Sequence, residues 1–395
     1  MASPELWAPW VSIATPKVLL PFYIKELVVH SEEGMHQWAQ LTVRYYLSSG
    51  MRTALGSLPP SLWWAEDKPV RITYGPRRAI SKEFVGYVVS PELISDATDP
   101  APHVEGQMLD VRYTLLGATK PLQTTRARTW STCQAQYIVR ELASANGLNA
   151  LVGKHPRVFE QRQQAESDFH FMQRIADEVG WRLVADGSTI YFTDPRTPLT
   201  SQTPLFRQNA TAGLQDTMQA FRAVSGELDP AGAIRAQHEA LSLSSAGVIS
   251  TARTTATRTD AATGREIAAQ VRRRAADHVA GSYAEAQAIT TAAATRSLWW
   301  VSATATVDGD VSLMPGTVVR LGGSALTSQY AGKWMTRSAH HRITLNQADR
   351  RLSSYYVDLQ LGRDQPDRLT VDKVPFMPLR RNVLANARWT SRVVA

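Results

Sequence analysis

Cysteine is almost absent: Cys133 is the only one in 395 residues. One thiol allows no internal disulfide and no thiolate metal cluster, and it suits assembly in a reducing cytoplasm. No run approaches the ~20 apolar residues that a membrane span needs. The opening MASPELWAPWVSIATPKVLL carries Glu5, Pro9 and Pro16 where a leader has a basic start and an apolar core, so no secretion signal is expected. No Gly-rich phosphate loop, no His-Glu-x-x-His and no Gly-x-Ser-x-Gly elbow is present, so nucleotide binding, zincin chemistry and serine hydrolysis have no support.

What is present is ordinary for a folded chain: 44% apolar and 20% charged residues. The length allows two to four domains with sizeable cores. The formal charge of +8 is uneven. From Val371 onward, Lys373, Arg380, Arg381, Arg388 and Arg392 oppose only Asp372. Such a tail either binds an acidic surface or nucleic acid, or is a solvated appendage.

Two-residue alternation governs the first ~120 residues. In QWAQLTVRYYL, Ala39, Leu41, Val43, Tyr45 and Leu47 share one face. Gln40, Thr42, Arg44 and Tyr46 share the other. FYIKELVVH precedes this strand across a Ser-Glu-Glu-Gly loop, which predicts an antiparallel hairpin. VRITYGPRR is expected to turn at Gly75-Pro76 and return as KEFVGYVVS. In GQMLDVRYTLLG, Leu109, Val111, Tyr113 and Leu115 alternate again. Strands with turns and no helices predict a barrel or sandwich.

The pattern then changes. Ser131 and Gln134 read as a capping box ahead of a helix bearing Ile138, Val139, Leu142 and Ala145, stopped by Asn146-Gly147. A short strand is expected near Arg157–Glu160. Ser167 caps a second helix with Phe169, Met172, Ile175, Ala176 and Val179 on one stripe and Gly180 at its end. WRLVADGSTIYF reads as a hairpin turning at Asp186-Gly187, and DPRTPLTSQTP as the exit linker. Strand patterns resume from Leu205. Thr263 with Glu266 predicts a helix carrying Ile267, Val271, Ala275 and Val279, and Ser282 with Glu285 predicts another running to about Arg296. LWWVSATATVDG, GTVVRLGG, GKWMTRSAHHRITL and SSYYVDLQLG then read as strands. No short-period repeat is visible.

Each chemical candidate has a plainer reading. His340 and His341 are neighbours in a strand, so their side chains take opposite faces and cannot easily chelate one ion. No Cys or carboxylate cluster nearby completes a metal site. Val307-Asp308-Gly309-Asp310 lacks the ligand spacing of a calcium loop and reads as a turn. Cys133 is expected to be buried in the first turn of its helix. Glu178 and Asp186 could be paired as glycan-cleaving acids, but the polar stripe of a helix and a turn already account for them. Asn209-Ala-Thr211 matches a glycosylation sequon without a secretory context. Arg272-Arg273-Arg274 reads as the solvated face of a helix rather than a DNA contact. Trp63-Trp64 and Trp299-Trp300 are strand pairs in which one ring faces outward. Packing and interface anchoring both stay open for them.

Four places together resemble a known family: FVGYVVS; SDFHFMQRIADEVGWRLVADGSTIYFTDP; LMPGTVVRLGG followed by YAGKWMTRSAHHRIT; and SSYYVDLQLGR. They resemble the phage tail hub family, which includes the late control D proteins and the N-terminal part of type VI secretion spike proteins. The resemblance covers roughly residues 20–365, and its specific part is the helix and hairpin. It implies a mainly β fold in which two tube-type β-barrels flank a small α+β helix-hairpin domain. The expected divisions are 1–125, first barrel; 126–200, helix-hairpin domain; 201–370, second barrel interrupted by helices; and 371–395, a basic arm.

The function it implies is a non-enzymatic, homotrimeric hub that joins a sixfold tail tube to a threefold spike. The partners implied are tail tube protein, a separate spike protein, other baseplate proteins, and a tape-measure protein in the lumen, with nucleic acid only in passage. No cofactor is implied, and the site is the virion tail or an injection particle. Unlike the type VI branch, this chain has no evenly repeating needle, hence the separate spike. Expected interface residues are Trp63, Trp64, Trp299, Trp300, Arg380, Arg381, Leu384 and Trp389. The competing reading is a tail-associated cell-wall hydrolase or peptidoglycan-binding module.

Overall fold

The computed structural model describes residues 9–14, 22–47, 68–77, 80–94, 107–209, 216–225, 235–243, 248–257, 270–274, 283–296, 301–328, 330–346 and 352–363. Among the described residues the first half holds six strands: β1 (Trp10–Ala14), β2 (Phe22–Glu32), β3 (Trp38–Leu47), β4 (Val70–Arg77), β5 (Ile80–Ile94) and β6 (Gln107–Gly117). They run in the order β1-β4-β5-β6-β3-β2, every pair antiparallel. The alternation places its residues as expected. Ala39, Leu41 and Val43 pair with Leu115, Tyr113 and Val111, and all six are buried.

The opposite face of β3 is not bare. Arg44 donates twice to Asp110, at 2.5 and 2.7 Å, and Lys25 joins at 2.9 Å. Burial pushes the Asp110 carboxyl up, but these hydrogen bonds outweigh it and hold the group below the ordinary carboxylate range. Gly75-Pro76 is not the turn. It lies inside β4, where the register with β5 is broken, and the chain reverses between Arg77 and Ile80. Proline cannot donate to a ladder, so it sits where pairing is interrupted.

The inserted unit starts with a 3-10 turn, Lys120–Gln123. It continues through β7 (Thr125–Gln134), α1 (Ala135–Ala145), β8 (Asn149–Val152), β9 (Val158–Ser167), α2 (Asp168–Val179), β10 (Arg182–Asp186) and β11 (Thr189–Thr193). It has its own core, in which Ile138, Leu142, Phe169, Met172, Ile175 and Phe192 are buried together. The second predicted helix forms as read. Ser167 accepts the His170 N–H, and Gly180 closes the helix at φ 71°.

Ser131 and Gln134, in contrast, form no capping box. Both belong to β7, and α1 starts without a side-chain cap. A ten-residue ladder with β9 claims that stretch, which also makes β9 far longer than the short strand expected. In the hairpin, Asp186 pairs with Thr189, so the turn residues are Gly187 and Ser188 rather than Asp186 and Gly187. Gly187 takes the positive φ of 56°.

The second half supplies β12 (Leu205–Arg207), β13 (Met218–Ser225), β17 (Val301–Asp308), β18 (Val318–Gly322), β19 (Gly332–Thr344) and β20 (Ser354–Arg363). Pairing runs β13-β17-β20-β19-β18-β12. Thr217, just ahead of β13, returns to β12. Its N–H donates to the Arg207 carbonyl at 3.0 Å, and its Oγ1 accepts the Arg207 N–H at 2.9 Å. The six strands thereby come full circle. Inside, Trp334 is wholly buried, donates its indole N–H to the Tyr330 carbonyl at 3.0 Å and lies under the Arg363 guanidinium at 3.9 Å.

A further unit is inserted between β13 and β17: β14 (Arg235–Leu243), β15 (Ile249–Thr257), β16 (Gln270–Arg274) and α3 (Tyr283–Arg296). α3 matches the helix expected to end at Arg296. The helix expected to contain Val271 and the arginine triplet is instead strand β16, parallel to Arg235–Glu239 of β14. The Thr263–Glu266 box, Ile267, Ala275 and Val279 lie outside the described residues. Cross-strand pairing satisfies the backbone of 270–274 and overrides the weak helical periodicity.

The two halves are joined edge to edge. β2 pairs antiparallel with β19 from Glu26↔Thr344 to Glu32↔Ser338, which makes one twelve-stranded sheet. A single apolar core draws on both halves, including Leu27, Tyr45 and Phe84 from the first and Trp334, Val357 and Leu361 from the second. The fold is mainly β, with two barrel-type halves and a small α+β unit between them.

The turn makes a direct prediction. Gly187→Val forces a β-branched residue into positive φ. It should lower unfolding free energy by about 1–2 kcal/mol in urea titration, whereas Ser188→Ala should stay within about 0.5 kcal/mol.

Candidate functional site

All eight residues expected at interfaces, Trp63, Trp64, Trp299, Trp300, Arg380, Arg381, Leu384 and Trp389, lie outside the described residues. The chemical candidates mostly lie within them, and the structure disperses them. Cys133 is in strand β7 opposite Phe159, half-buried rather than enclosed in a helical turn, and burial pushes its thiol pKa up. Glu178 is held by Arg162 at 3.0 Å and Arg174 at 3.3 Å. Asp186 is held by Lys82 at 2.7 Å. Val307 and Asp308 end strand β17 rather than forming the expected turn; beyond them Gly309 leaves no room for a Cβ against the Tyr355 ring, and Asp310 folds back on the Ser312 N–H at 2.8 Å.

His340 and His341 do take opposite faces. His341 is buried in the barrel core. Its Nε2 lies 2.9 Å from the Leu313 carbonyl and its Nδ1 2.9 Å from the Tyr355 hydroxyl. A carbonyl only accepts, so Nε2 carries the proton and the tyrosine donates to Nδ1. Both ring nitrogens are thereby used. Among the described residues, no three His, Cys, Asp or Glu side chains converge on a metal position.

The described side chains converge on a junction of three parts, and Arg182 is its centre. This residue begins β10, and its side chain is 1% exposed. Nη1 lies 3.4 Å from Glu33 Oε1, at the end of the first-half hairpin, and 3.6 Å from Met335 Sδ in β19. Nη2 donates to the Asp194 carbonyl at 3.3 Å and to the Thr197 carbonyl in the proline-rich connector. Burial pushes its pKa down while Glu33 and Asp194 oppose that, yet a guanidinium stays charged near neutrality. Gly316 completes the enclosure. A Cβ there would sit 2.6 Å from Leu199 Cγ and 2.8 Å from Arg182 Nη1.

The hairpin is gripped at its other end too. Gln37 of the first half accepts the Gly187 N–H at 2.9 Å and reaches Asp186 at 3.2 Å, and the Gly34 N–H donates to the Leu183 carbonyl at 2.7 Å. α3 is clamped onto the unit by Glu285, which lies 2.5 Å from Arg162 and 3.4 Å from Arg157. At Gly180 a Cβ would lie 2.6 Å from Ala292 Cα, so the α2 terminus and α3 meet backbone to backbone. Nothing in this arrangement pairs a nucleophile with a base. It locks rigid parts together.

No protein-family model and no curated protein sequence matches the chain. Solved structures do. The 43 kDa tail protein of prophage MuSo2 from Shewanella oneidensis is 12% identical at a TM-score of 0.59, over 91% of this chain and 99% of that one. The tail protein from Neisseria meningitidis MC58 is 12% identical at 0.60, over 92% and 100%. The chain has the fold of phage tail proteins. The c3393 protein of Escherichia coli, a type VI secretion component described as similar to the bacteriophage T4 tail proteins gp27 and gp5, is 9% identical at 0.53, over 93% of this chain and 79% of that one. At such identities the shared property is the backbone arrangement.

Sequence reasoning missed the junction because its members are single polar residues scattered from Glu33 to Arg337. Arg182 carries a legible signal only in retrospect, as a charged residue at the start of a strand whose next three positions are apolar.

Two predictions follow from the buried groups. Arg182→Met removes the shared cation from Glu33 and from two carbonyls. It should destabilise the fold by roughly 3–5 kcal/mol in urea titration, far more than Arg337→Met, whose side chain is 47% exposed. The second concerns acid. Burial pushes His341 down to about 3, with the Lys82 charge adding to the effect. Burial and His170 push His36 down to about 4. Unfolded histidine titrates near ~6.5, so between that value and the folded values the unfolded chain binds more protons. The stability contribution is complete above about pH 6.5 and is lost as pH falls towards 4 and then 3. The urea midpoint should be nearly flat from pH 8 to 7 and decline steadily below 6.5.

Proposed function

We propose that this chain is the structural hub at the tip of a phage tail or a phage-derived injection device, and that it has no enzymatic role. The observation that carries the reading is two six-stranded halves in one chain, joined edge to edge by β2 and β19, in a fold shared with tail proteins over nine-tenths of its length. Three copies would present six such halves. A ring of six similar strand sets can meet a sixfold tube on one side, while the threefold repeat of the chain itself meets a spike on the other.

In this reading, 1–125 and 201–370 are the ring-forming barrels and 126–200 is the helix-hairpin domain between them. The basic 371–395 segment, with Arg380, Arg381, Leu384 and Trp389, grips a neighbouring chain. Trp63, Trp64, Trp299 and Trp300 anchor contacts between copies. The partners are the tube protein, a separate spike, other baseplate proteins and a tape-measure protein, with nucleic acid passing through the lumen. The particle belongs to a virion tail or injection device assembled in the bacterial cytoplasm.

The cell-wall hydrolase reading loses ground on geometry. Glu178 and Asp186 are each committed to cations. Native mass spectrometry of the purified chain, alone and with tube protein, is the deciding test. A three-copy species that persists on dilution is expected. A chain that stays monomeric in both conditions would end the hub reading, and clearing of peptidoglycan in a zymogram would replace it with the enzyme.

A further inference from the structure

The seam between the halves carries a pair of histidines that the hub function leaves unused. In the β2–β19 ladder, His30 and His340 are direct register partners, although 310 positions separate them in sequence. They head a row across the sheet. Trp38 on β3 pairs with His30, and Asp358 on β20 pairs with His340. The two imidazole centroids are 5.4 Å apart at an interplanar angle of 86°, and the Trp38 ring stacks on His30 at 5.1 Å. A cavity of about 370 Å³ opens over the pair, lined also by Thr304, Ser338, Asp358 and Gln360.

Each ring has one buried nitrogen without a hydrogen-bond partner: Nδ1 of His30 and Nε2 of His340. The His30 tautomer follows from its other side. Nε2 lies 3.1 Å from Glu32 Oε2, and a carboxylate only accepts, so Nε2 holds the proton and Nδ1 presents a bare lone pair. A carboxylate holding one ring N–H while the other nitrogen points its lone pair elsewhere is the usual outer-sphere arrangement around a metal-bound histidine.

We propose that His30 Nδ1 and His340 Nε2 bind one divalent cation of the zinc, cobalt or nickel class across the seam. Two imidazoles on one tetrahedral ion, each with a metal–nitrogen bond of 2.0–2.1 Å, place their ring centres roughly 5 Å apart, close to the spacing present here. Imidazole suits these borderline ions. Only two protein ligands are available, so water from the cavity completes the coordination. Two cations stand nearby: Arg342 is paired with Asp358 at 2.8 Å, and Arg222, on β13, also lines the cavity, its backbone three strands from His340. Burial, with His30 and Arg342, pushes the His340 pKa down against the pull of Asp358, which keeps the ring in its neutral, ligating form at neutral pH. Such an ion would staple the two halves where they are already hydrogen-bonded.

The full chain, freed of metal by chelator and exchanged into buffer, is titrated with Zn²⁺ in a calorimeter. One saturable site per chain is expected. His30→Gln and His340→Gln should each weaken it at least tenfold, and Glu32→Gln about tenfold through the lost outer-sphere carboxylate. His170→Gln, on the exposed face of α2, should leave it unchanged. Absence of saturable binding up to millimolar Zn²⁺, or binding that persists in both seam variants, overturns the proposal. Should the variants fail to fold, wild-type protein with ring-labelled histidine is titrated with Co²⁺. Broadening that begins at the His30 and His340 rings supports the site, and broadening that begins at any other histidine overturns it.

Discussion

A charge that cannot leave the interior holds this molecule in one shape. Arg182 is fully enclosed, and its guanidinium needs acceptors that no single part of the chain can supply. Glu33 comes from the first half, the Asp194 and Thr197 carbonyls from the connector, and Met335 from the second half. An unpaired buried cation costs several kcal/mol, so any rearrangement that pulls one part away carries that penalty. The parts are also small. Among the described residues the α3 unit has a small apolar core of Ala240, Ala252, Ala286 and Ile289. Polar clamps at Arg182, at Gln37 with Gly187, and at Glu285 add orientation to what packing alone would leave loose.

This division of labour suits a mechanical part. The halves share a continuous sheet and one apolar core, which resists shear between them. The inserted unit is tied at both ends of its hairpin, so it cannot swing as a lid. Several of its charged residues are paired: Arg162, Arg174 and Glu178 form a connected set completed by Glu285 of α3, with Arg162 and Arg174 also lying over Phe159 and Phe171. An active site requires groups kept deliberately short of partners. His30 Nδ1 and His340 Nε2, at the seam and on the face away from the core, are among the buried atoms left in that state.

Much of the architecture was legible because it rests on local periodicity. Ala39 to Tyr45 and Val111 to Leu115 alternate in sequence and pair in space, and Ser167 with Gly180 brackets a helix through side-chain and backbone chemistry confined to a few residues. Failures occurred where pairing with distant strands overrode local signals. Ser131 and Gln134 have capping chemistry, yet β9 takes them as a ladder. Val271 has helical neighbours, yet β14 takes it as a strand. The junction and the seam were illegible for the same reason. Nothing around His30 announces that His340 will stand opposite, and strand alternation parts His340 from His341 without marking its cross-strand neighbour.

The seam has a consequence for synthesis. β2 is made within the first tenth of the chain, but its partner β19 ends at Thr344. At translation rates of about 5–20 residues per second, the outer edge of β2 waits on the order of tens of seconds for the strand that covers it. An unpaired edge is a template for any passing strand. During that interval each nascent chain can recruit another, so ribosomes crowded on one message bring uncovered edges together before either molecule is complete.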